Sequence, residues 1–253
     1  MPFLPRRPRR ADPPGPPPPA ADPLAGATPA DRAILEQALP FTMTGVARMQ
    51  ALIDAVRHVV DRGLPGALAE CGVWRGGSVL AMLLTLQDLG ASDRDVFLYD
   101  TFDGMTAPTE HDVSEHDPPA LDTWRAAHLR GERAWPEMFA ADVFSESGVR
   151  ETVARAGYPA ERIHVVRGPV EETLPGALPG PLALLRLDTD WYESTRHELV
   201  HLYPLLVPGG VLIIDDYGHW QGAARAVDEY FAAHPPRPLL QRIDYTGRLA
   251  VRA

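Results

Sequence analysis

Short apolar runs separated by helix-length segments dominate the middle of the chain. Five runs of four to six residues have the continuous hydrophobicity of strands buried on both faces: Ala67–Cys71, Val96–Tyr99, Ile163–Val166, Leu182–Leu187 and Val211–Ile214. Between most of them lie segments of helical length, such as Ser78–Leu89 and Ser194–Leu206. Strands that alternate with helices predict βαβ units, and therefore an α/β fold with a parallel sheet and helices on both faces.

The two ends of the chain depart from this alternation. Residues 1–25 form a Pro- and Arg-rich arm that we predict to be disordered, because it has too few apolar residues to offset its ordering entropy. An arm that docks on a partner is the alternative. Residues 26–65 carry apolar residues at helical spacing and predict N-terminal helices. At the other end, LLQRIDYTGRLAVR predicts two strands joined by a tight turn at Tyr245–Gly247. We therefore expect one domain, residues 26–253, with a mostly parallel seven-stranded sheet and an antiparallel last strand.

Composition narrows the classes of function. The chain has 253 residues and a formal net charge of −10, which disfavours nucleic acid as a partner because phosphate backbones are bound by clustered basic residues. No apolar run approaches the roughly 20 residues of a membrane span, and the N-terminus lacks the apolar segment of a secretory signal. The single cysteine, Cys71, excludes an intramolecular disulfide and fits the cytoplasm. All 24 basic residues are Arg, so no lysine can serve as a catalytic base.

Glycine and acidic residues follow the first three predicted strands, at the sheet edge where open α/β folds bind ligands. The first strand runs into AECGVWRGGS, whose glycines allow close backbone approach and free a helix N-terminus. The second ends at Asp100, where such folds bind a ribose diol, and Gly168–Val170 after the third are candidates to border an adenine. A plain tight turn and a helix N-cap are the structural alternatives for the glycines and for Asp100. The candidate cofactor-binding residues are Glu70, Gly72, Trp74, Gly76, Ser78, Asp100, Gly168, Val170 and Glu171.

Three carboxylates follow the fourth and fifth predicted strands. Asp188 comes directly after Leu187, and Asp215 and Asp216 come directly after Ile214. Mg²⁺ prefers oxygen ligands, and three carboxylates gathered at neighbouring strand ends would repel one another without a cation. Taken singly, each is more often a helix cap or a loop residue. Together, beside a glycine-rich turn, they predict a metal site.

Four ordered motifs resemble one known family. AECGVWRGGS, YDTFDGM, RLDTDWYEST and GGVLIIDDYG…GAARAVDEYF are similar to the macrocin O-methyltransferase (TylF-like) family, over roughly residues 40–253. The resemblance implies a Rossmann-like class I methyltransferase fold, S-adenosyl-L-methionine as methyl donor, and Mg²⁺ held by Asp188, Asp215 and Asp216. It also implies a small-molecule acceptor, a sugar or phenol hydroxyl on a natural product. Asp190 and Tyr192 belong to the third motif, and we expect them to support the site rather than to bind metal.

Methyl transfer to a hydroxyl requires a group that takes the hydroxyl proton. Related catechol O-methyltransferases use a lysine near the metal, which this chain lacks. We expect Asp188 to act both as metal ligand and as base, with His219 as the second candidate. The acidic segment 105–140, which includes EHDVSEHD, matches the family only loosely. We interpret it as a lid-like insertion with a solvated loop, rather than as a cluster of histidine metal ligands.

Two other functions remain open from the sequence. DTD at 188–190 is the DxD pattern of metal-dependent glycosyltransferases, but that interpretation leaves the glycine-rich turn and the Asp215–Asp216 pair unexplained. A non-catalytic, methyltransferase-like binding subunit is the other alternative. The sequence leaves open the identity of the acceptor and whether the chain acts as a monomer or as a homodimer.

Overall fold

A seven-stranded sheet forms the centre of the computed structural model, which describes residues 22–253. β1 to β5 run parallel, and β7 runs antiparallel to both β5 and β6. The order across the sheet is β3-β2-β1-β4-β5-β7-β6, so the predicted mostly parallel seven-stranded sheet with an antiparallel end is confirmed. The strands are β1 (Ala67–Cys71), β2 (Val96–Asp100), β3 (Ile163–Arg167), β4 (Leu182–Leu187), β5 (Leu206–Ile214), β6 (Gln241–Arg242) and β7 (Arg248–Val251).

Helices cover both faces of the sheet, as the alternating pattern predicts. Side chains alternate between the two faces along each strand. Leu184 of β4 therefore packs in one apolar cluster with α2, α3 and α6, and Leu185 packs in another with α8 and α9. The helices are α1 (Pro29–Ala38), α2 (Val46–Asp61), α3 (Gly77–Asp88), α4 (Ala120–Leu129), α5 (Pro136–Phe139), α6 (Glu146–Ala154), α7 (Val170–Thr173), α8 (Tyr192–His201) and α9 (Gln221–Ala233). No helix among residues 22–253 is both long and apolar enough to cross a membrane.

The N-terminal helices form a third apolar cluster, in which α1 and α2 pack against α3. Leu24, which precedes α1, belongs to this cluster and is 6% exposed. The packed part of the chain therefore begins before residue 26, where the sequence placed the start of the domain. Most of the predicted arm, residues 1–21, lies outside the described residues.

Two predicted element boundaries differ from the structure by more than two residues. α8 ends at His201, earlier than predicted, and a single 3₁₀ turn (Tyr203–Leu205) that contains Pro204 replaces its expected last turn. Proline interrupts the helical hydrogen-bond pattern, which accounts for the early end. β5 begins at Leu206, earlier than the apolar run itself, because Leu206 pairs with Leu182 across an irregularity in the β4–β5 register.

The segment 105–140 contains α4 and α5 and is fastened to the body of the protein. Asp112 is fully buried and accepts hydrogen bonds from the backbone amides of Tyr192 (2.7 Å) and Thr109 (2.6 Å). It thereby satisfies an amide at the start of α8. The interpretation of EHDVSEHD as a solvated loop is therefore wrong for Asp112, although residues 115–117 are exposed. No local sequence pattern indicates this contact, because the two partners are 80 residues apart.

Candidate active site

A cavity of about 590 Å³ opens at the carboxyl ends of the parallel strands, a volume typical of small-molecule sites. Its walls come from the ends of β1 to β5, from residues 42–48 and from the segment 105–140. Every residue that the sequence proposes for cofactor, metal or base lines this cavity, with the exception of Glu70 and Gly76. The candidate site therefore lies where open α/β folds bind ligands, at the carboxyl ends of the parallel strands.

Three carboxylates meet on one side of this cavity. Leu187 at the end of β4 pairs with Ile214 at the end of β5, so Asp188 and the Asp215–Asp216 pair emerge side by side. One oxygen atom from each of the three carboxylates lies within 4.8 Å of the others. The structure thus brings together the three residues that the sequence proposes as metal ligands.

Asp215 and Asp216 are buried and the side chain of Asp188 is 25% exposed, and the three carboxylates repel one another. Burial raises the pKa of Asp188 and of Asp216 well above the usual range, and the neighbouring carboxylates raise both further. The adjacent Asp190 has its pKa raised to about 6, again chiefly by burial. A bound cation would reverse these shifts, because it favours the ionised form of each carboxylate.

Arg186 is a functional residue that the sequence interpretation missed. It lies on β4, is 1% exposed, and donates to Asp188 Oδ2 at 2.7 Å and to Asp215 Oδ1 at 2.6 Å. It also donates to the fully buried Glu70 and to the hydroxyl of Thr44. The available signal was a charged residue inside the otherwise apolar run LLRLD. A buried guanidinium needs carboxylate partners, and acidic residues lie immediately beyond it.

Arg48, in the first turn of α2, approaches the cluster from the other side. Its guanidinium pairs with Asp215 Oδ2 and, through Nε, with Asp244 Oδ2 at 3.0 Å. Within residues 22–253, the six carboxylates of Glu70, Asp188, Asp190, Asp215, Asp216 and Asp244 therefore face the two guanidinium groups of Arg48 and Arg186. The excess negative charge and the all-oxygen donor set fit a hard divalent cation such as Mg²⁺.

Asp100, at the end of β2, holds the β1–α3 loop. Its Oδ2 accepts from the backbone amides of Val73 (2.7 Å) and Trp74 (3.2 Å), and its Oδ1 accepts from that of Phe102 (2.9 Å). Burial raises the pKa of Asp100, and these backbone hydrogen bonds act against the rise. The carboxylate also lines the cavity, so its predicted contact with a ribose stays a prediction.

Two glycines where the β1–α3 loop leads into α3 are needed because other backbone segments lie close to them, which the sequence interpretation did not anticipate. Gly72 has φ +78°, and a Cβ there would lie 1.9 Å from the carbonyl oxygen of Asp188. A Cβ on Gly77 would lie 2.6 Å from the backbone of Phe41. The close approach is therefore made by other parts of the protein, whereas the sequence interpretation assigned it to a ligand.

The other residues proposed for the cofactor occupy two kinds of position. Glu70 lies beneath the cavity, where it accepts from the hydroxyl of Ser78 and from Arg186, and Gly76 is the left-handed N-cap of α3. Glu171 faces the cavity, and its Oε2 is buried without a hydrogen-bond partner among the described residues. Such an acceptor fits a ligand that carries hydrogen-bond donors. The remaining proposed residues, Gly72, Trp74, Gly168 and Val170, line the wall.

His219, the second candidate base, lies at the rim in a polar contact with the segment 105–140. Its Nε2 is 2.8 Å from Asp117 Oδ2, and its Nδ1 is 3.0 Å from the hydroxyl oxygen of Tyr245. The ring of His116 stacks on it with a centroid separation of 5.4 Å. Both nitrogens of His219 are therefore engaged, whereas Asp188 has one oxygen that Arg186 does not hold.

Three tryptophans form an aromatic wall beside the carboxylates, with interplanar angles of 38° and 71° between successive rings. The ring centroids of Trp135 and Trp191 are 5.7 Å apart, and those of Trp191 and Trp220 are 5.0 Å apart. The Trp220 indole donates to Asp190 Oδ1 at 2.9 Å, which ties the wall to the acidic cluster. The sequence interpretation missed this wall, although DTDW and DDYGHW each place a tryptophan just after a pair of acidic residues.

One cavity therefore combines three kinds of binding surface. The ends of β1 to β3 offer the carboxylates of Asp100 and Glu171, the ends of β4 and β5 offer cation ligands, and the tryptophans offer an aromatic surface for a ring. A group carried at the first position can be transferred to an oxygen atom held at the other two.

Comparisons with known proteins agree with this arrangement. Residues 27–251 match the macrocin-O-methyltransferase (TylF) family. The chain is 37% identical over 207 residues to 8-demethyl-8-(2,3-dimethoxy-alpha-L-rhamnosyl)-tetracenomycin-C 4'-O-methyltransferase of Streptomyces olivaceus, covering 81% of this chain and 73% of that protein. It is 35% identical over 206 residues to demethyldecarbamoylnovobiocin O-methyltransferase of Streptomyces niveus, with coverages of 81% and 73%.

Solved structures of methyltransferases also align with this chain. The O-methyltransferase NovP aligns with a TM-score of 0.70 at 34% identity, covering 84% of this chain and 82% of NovP. The calicheamicin methyltransferase CalS11 shares the fold, with a TM-score of 0.62 at 21% identity and coverages of 90% and 88%. The match over residues 27–251 and the relatives above 30% identity lead to one conclusion: the chain belongs to the macrocin-O-methyltransferase (TylF) family of O-methyltransferases.

Proposed function

We propose that this protein is a Mg²⁺-dependent enzyme that moves a methyl group from S-adenosyl-L-methionine to a hydroxyl of a sugar or phenol on a natural product. The observation that carries the proposal is that seven of the nine candidate cofactor residues and the three carboxylates line the same cavity. The names of the relatives support the acceptor class, because they describe methylation of tetracenomycin, novobiocin and mycinamicin compounds.

The cofactor would be held at the ends of β1 to β3. Its electrophilic sulfonium methyl is the group transferred. Asp100 and Glu171 supply carboxylates on this side of the cavity, and the free Oε2 of Glu171 can accept a hydrogen bond from the donor molecule. The backbone amides of Val73 and Trp74 fix Asp100, so this acceptor is already oriented before any ligand enters.

The metal would be held by Asp188, Asp215 and Asp216. A bound Mg²⁺ supplies charge that makes a nearby hydroxyl more acidic and restricts its position. Arg186 holds Asp188 and Asp215 at their present separation. Because that guanidinium is buried and shared, the ligands are preorganised by the protein itself.

Asp188 would take the proton from the acceptor hydroxyl. Its carboxylate faces the cavity, and one of its oxygens is not held by Arg186, so that oxygen can accept the proton of a hydroxyl bound beside it. His219 is the alternative base at the rim of the cavity, oriented by Asp117 and Tyr245. The acceptor ring would lie against Trp191 and Trp220, because apolar ring faces pack well on indole surfaces.

The direct test is methyl transfer from isotope-labelled S-adenosyl-L-methionine, detected by the mass of the product. The acceptors would be the desmethyl forms of the three natural products named for the relatives, with and without EDTA. We expect at least one labelled product, its loss in EDTA and its return with Mg²⁺. Undiminished transfer in EDTA would remove the metal from the proposal. Calorimetric binding of a nucleotide sugar but not of S-adenosylhomocysteine would favour the glycosyltransferase alternative instead.

A further inference from the structure

Both oxygens of Asp215 are already occupied in the structure. Oδ1 accepts from Arg186 at 2.6 Å, and Oδ2 pairs with Arg48. Each oxygen keeps a second lone pair, but two guanidinium groups on one carboxylate oppose the approach of a divalent cation. Binding of a cation to Asp215 is therefore favoured when one of the two arginines moves away.

Arg186 is poorly placed to leave. It is 1% exposed, and it is shared among the carboxylates of Glu70, Asp188 and Asp215 and the hydroxyl of Thr44. Moving it would leave several buried carboxylates without a counter-ion, and such a loss is strongly unfavourable. Arg186 is thus the permanent internal counter-ion of the cluster.

Arg48 differs in exposure and in its choice of partners. Its side chain is 15% exposed, and its Nε already lies 3.0 Å from Asp244 Oδ2. The turn holds Asp244 in place, because Asp244 Oδ1 accepts from the amides of Thr246 (3.0 Å) and Gly247 (2.7 Å). The carboxylate of Asp244 is therefore held beside Arg48, where it can bind the whole guanidinium.

The stem of Arg48 is also confined. A Cβ on Gly247 would lie 2.9 Å from Cδ of Arg48, so the arginine stem passes directly over this glycine. The guanidinium can therefore change partners by rotation about its terminal bonds, while the stem keeps its place between α2 and the β6–β7 turn.

We propose that Arg48 is a displaceable counter-ion, which neutralises Asp215 in the metal-free protein and moves fully to Asp244 when a divalent cation binds. This inference rests on the metal site of the proposed function. It makes Arg48 a positioning residue that lowers metal affinity, whereas Arg186 is required to hold the ligands together. In the metal-free protein, Arg48 also supplies part of the positive charge that balances the acidic cluster.

Calorimetric titration of the metal-free protein with Mg²⁺ alone tests the inference. Arg48→Gln should bind Mg²⁺ about tenfold more tightly than the unaltered protein, since it removes one positive charge a few ångströms from the ion. Asp244→Asn keeps the Oδ1 acceptor of the turn but removes the second partner of Arg48, so it should weaken Mg²⁺ binding. Arg62→Gln, at the exposed C-cap of the same helix, is the matched control and should leave the affinity unchanged.

A double variant separates this role from a general effect of charge. If Asp244 acts through Arg48, then Asp244→Asn should weaken Mg²⁺ binding much less in the Arg48→Gln background than in the unaltered protein. Equal effects in the two backgrounds, or unchanged or weaker binding by Arg48→Gln, would overturn the inference and leave the metal site standing. No Mg²⁺ binding by any of the proteins would overturn the metal site and the inference together.

Discussion

Asp188 and Asp216 belong to the same carboxylate cluster but have different neighbours. Arg186 donates to Asp188 Oδ2 at 2.7 Å, whereas Asp216 Oδ2 accepts from the backbone amide of Asp190 at 3.2 Å. The pKa of each is raised, chiefly by burial. Under the proposed mechanism both bind metal, but only Asp188 also takes a proton.

Substitution by asparagine should separate these two roles. Asp216→Asn should lose methyl transfer at low Mg²⁺ and recover in part at high Mg²⁺, because an amide oxygen remains a weak ligand. Asp188→Asn should lose about 10²-fold or more in kcat with little recovery, since asparagine cannot accept the proton. Steady-state kinetics over a range of Mg²⁺ concentrations measures both. Asp93→Asn, an exposed residue far along the chain from the cluster, is the control. Full recovery of Asp188→Asn would keep the metal and pass the base role to His219.

Asp100 is expected to bind the donor as well as its own loop. Asp100→Asn should weaken S-adenosyl-L-methionine binding by about 1–3 kcal/mol, the range for a lost hydrogen bond to a charged group. Isothermal titration gives the affinity, and a thermal melt of the ligand-free protein reports how far the loop alone is loosened. Unchanged affinity would remove Asp100 from the donor site, and a lower melting temperature with unchanged affinity would leave it a purely structural role.

The acidic cluster should also set a pH dependence of stability. The pKa of Asp190 is about 6 in the folded protein and about 3.9 for an unfolded aspartate. Between these values the folded state binds more protons, so the free energy of unfolding of the metal-free protein falls as pH rises from about 4 to about 6. The raised pKa values of Asp188 and Asp216 act in the same direction.

Thermal melts between pH 5 and pH 7 measure this effect. The metal-free protein should melt at a higher temperature at pH 5 than at pH 7, and Mg²⁺ should stabilise it more at pH 7, where protons compete less for the carboxylates. Asp190→Asn should show a smaller dependence on pH. A metal-free melting temperature that rises from pH 5 to pH 7 would contradict this account of the cluster.

The turn between β1 and α3 connects the cofactor side of the site to the metal side. Gly72 lies against the carbonyl of Asp188 at the end of β4, so the two strand ends fix each other. The β1–α3 loop and the backbone of Asp188 are thus positioned by one contact. Adding a single methyl group at Gly72 tests that contact.

Gly72→Ala should destabilise the protein far more than Gly90→Ala. Both glycines have positive φ, +78° and +67°, so both substitutions incur a conformational cost of about 1–2 kcal/mol. Only at Gly72 does the added Cβ meet backbone, at 1.9 Å, whereas at Gly90 nothing lies within 4 Å. Chemical denaturation should give a loss at Gly72 at least twice that at Gly90. Equal losses would mean that this contact is not close in solution.

Much of the sheet could be predicted because buried parallel strands are continuous apolar runs, and their carboxyl ends must share one edge. Asp188, Asp215 and Asp216 could be identified for that reason. Arg186 was missed although its charge interrupts the apolar run LLRLD. Arg48 could not be identified, because it meets Asp215 across 167 positions, and no periodicity encodes such a contact. The role of Gly72 could not be predicted either, because a glycine needed for a backbone contact and one needed for a ligand look the same in sequence.

The whole molecule places the proposed donor site, the proposed metal site and an aromatic wall around one opening. Each part is supported by its own contacts: Asp100 fixes the loop, Arg186 fixes the carboxylates, and Asp190 joins the carboxylates to Trp220. The central claim is that the carboxylate cluster is a metal site within reach of the methyl donor.

A crystal structure of the protein with S-adenosylhomocysteine and Mn²⁺, a Mg²⁺ substitute with an anomalous X-ray signal, tests that claim most directly. The account predicts one strong anomalous peak at about 2.0–2.3 Å from oxygens of Asp188, Asp215 and Asp216, in the same cavity as the donor. Arg48 should then lie on Asp244. A fully occupied donor site with no peak at the three carboxylates, or with the metal held elsewhere, would contradict it.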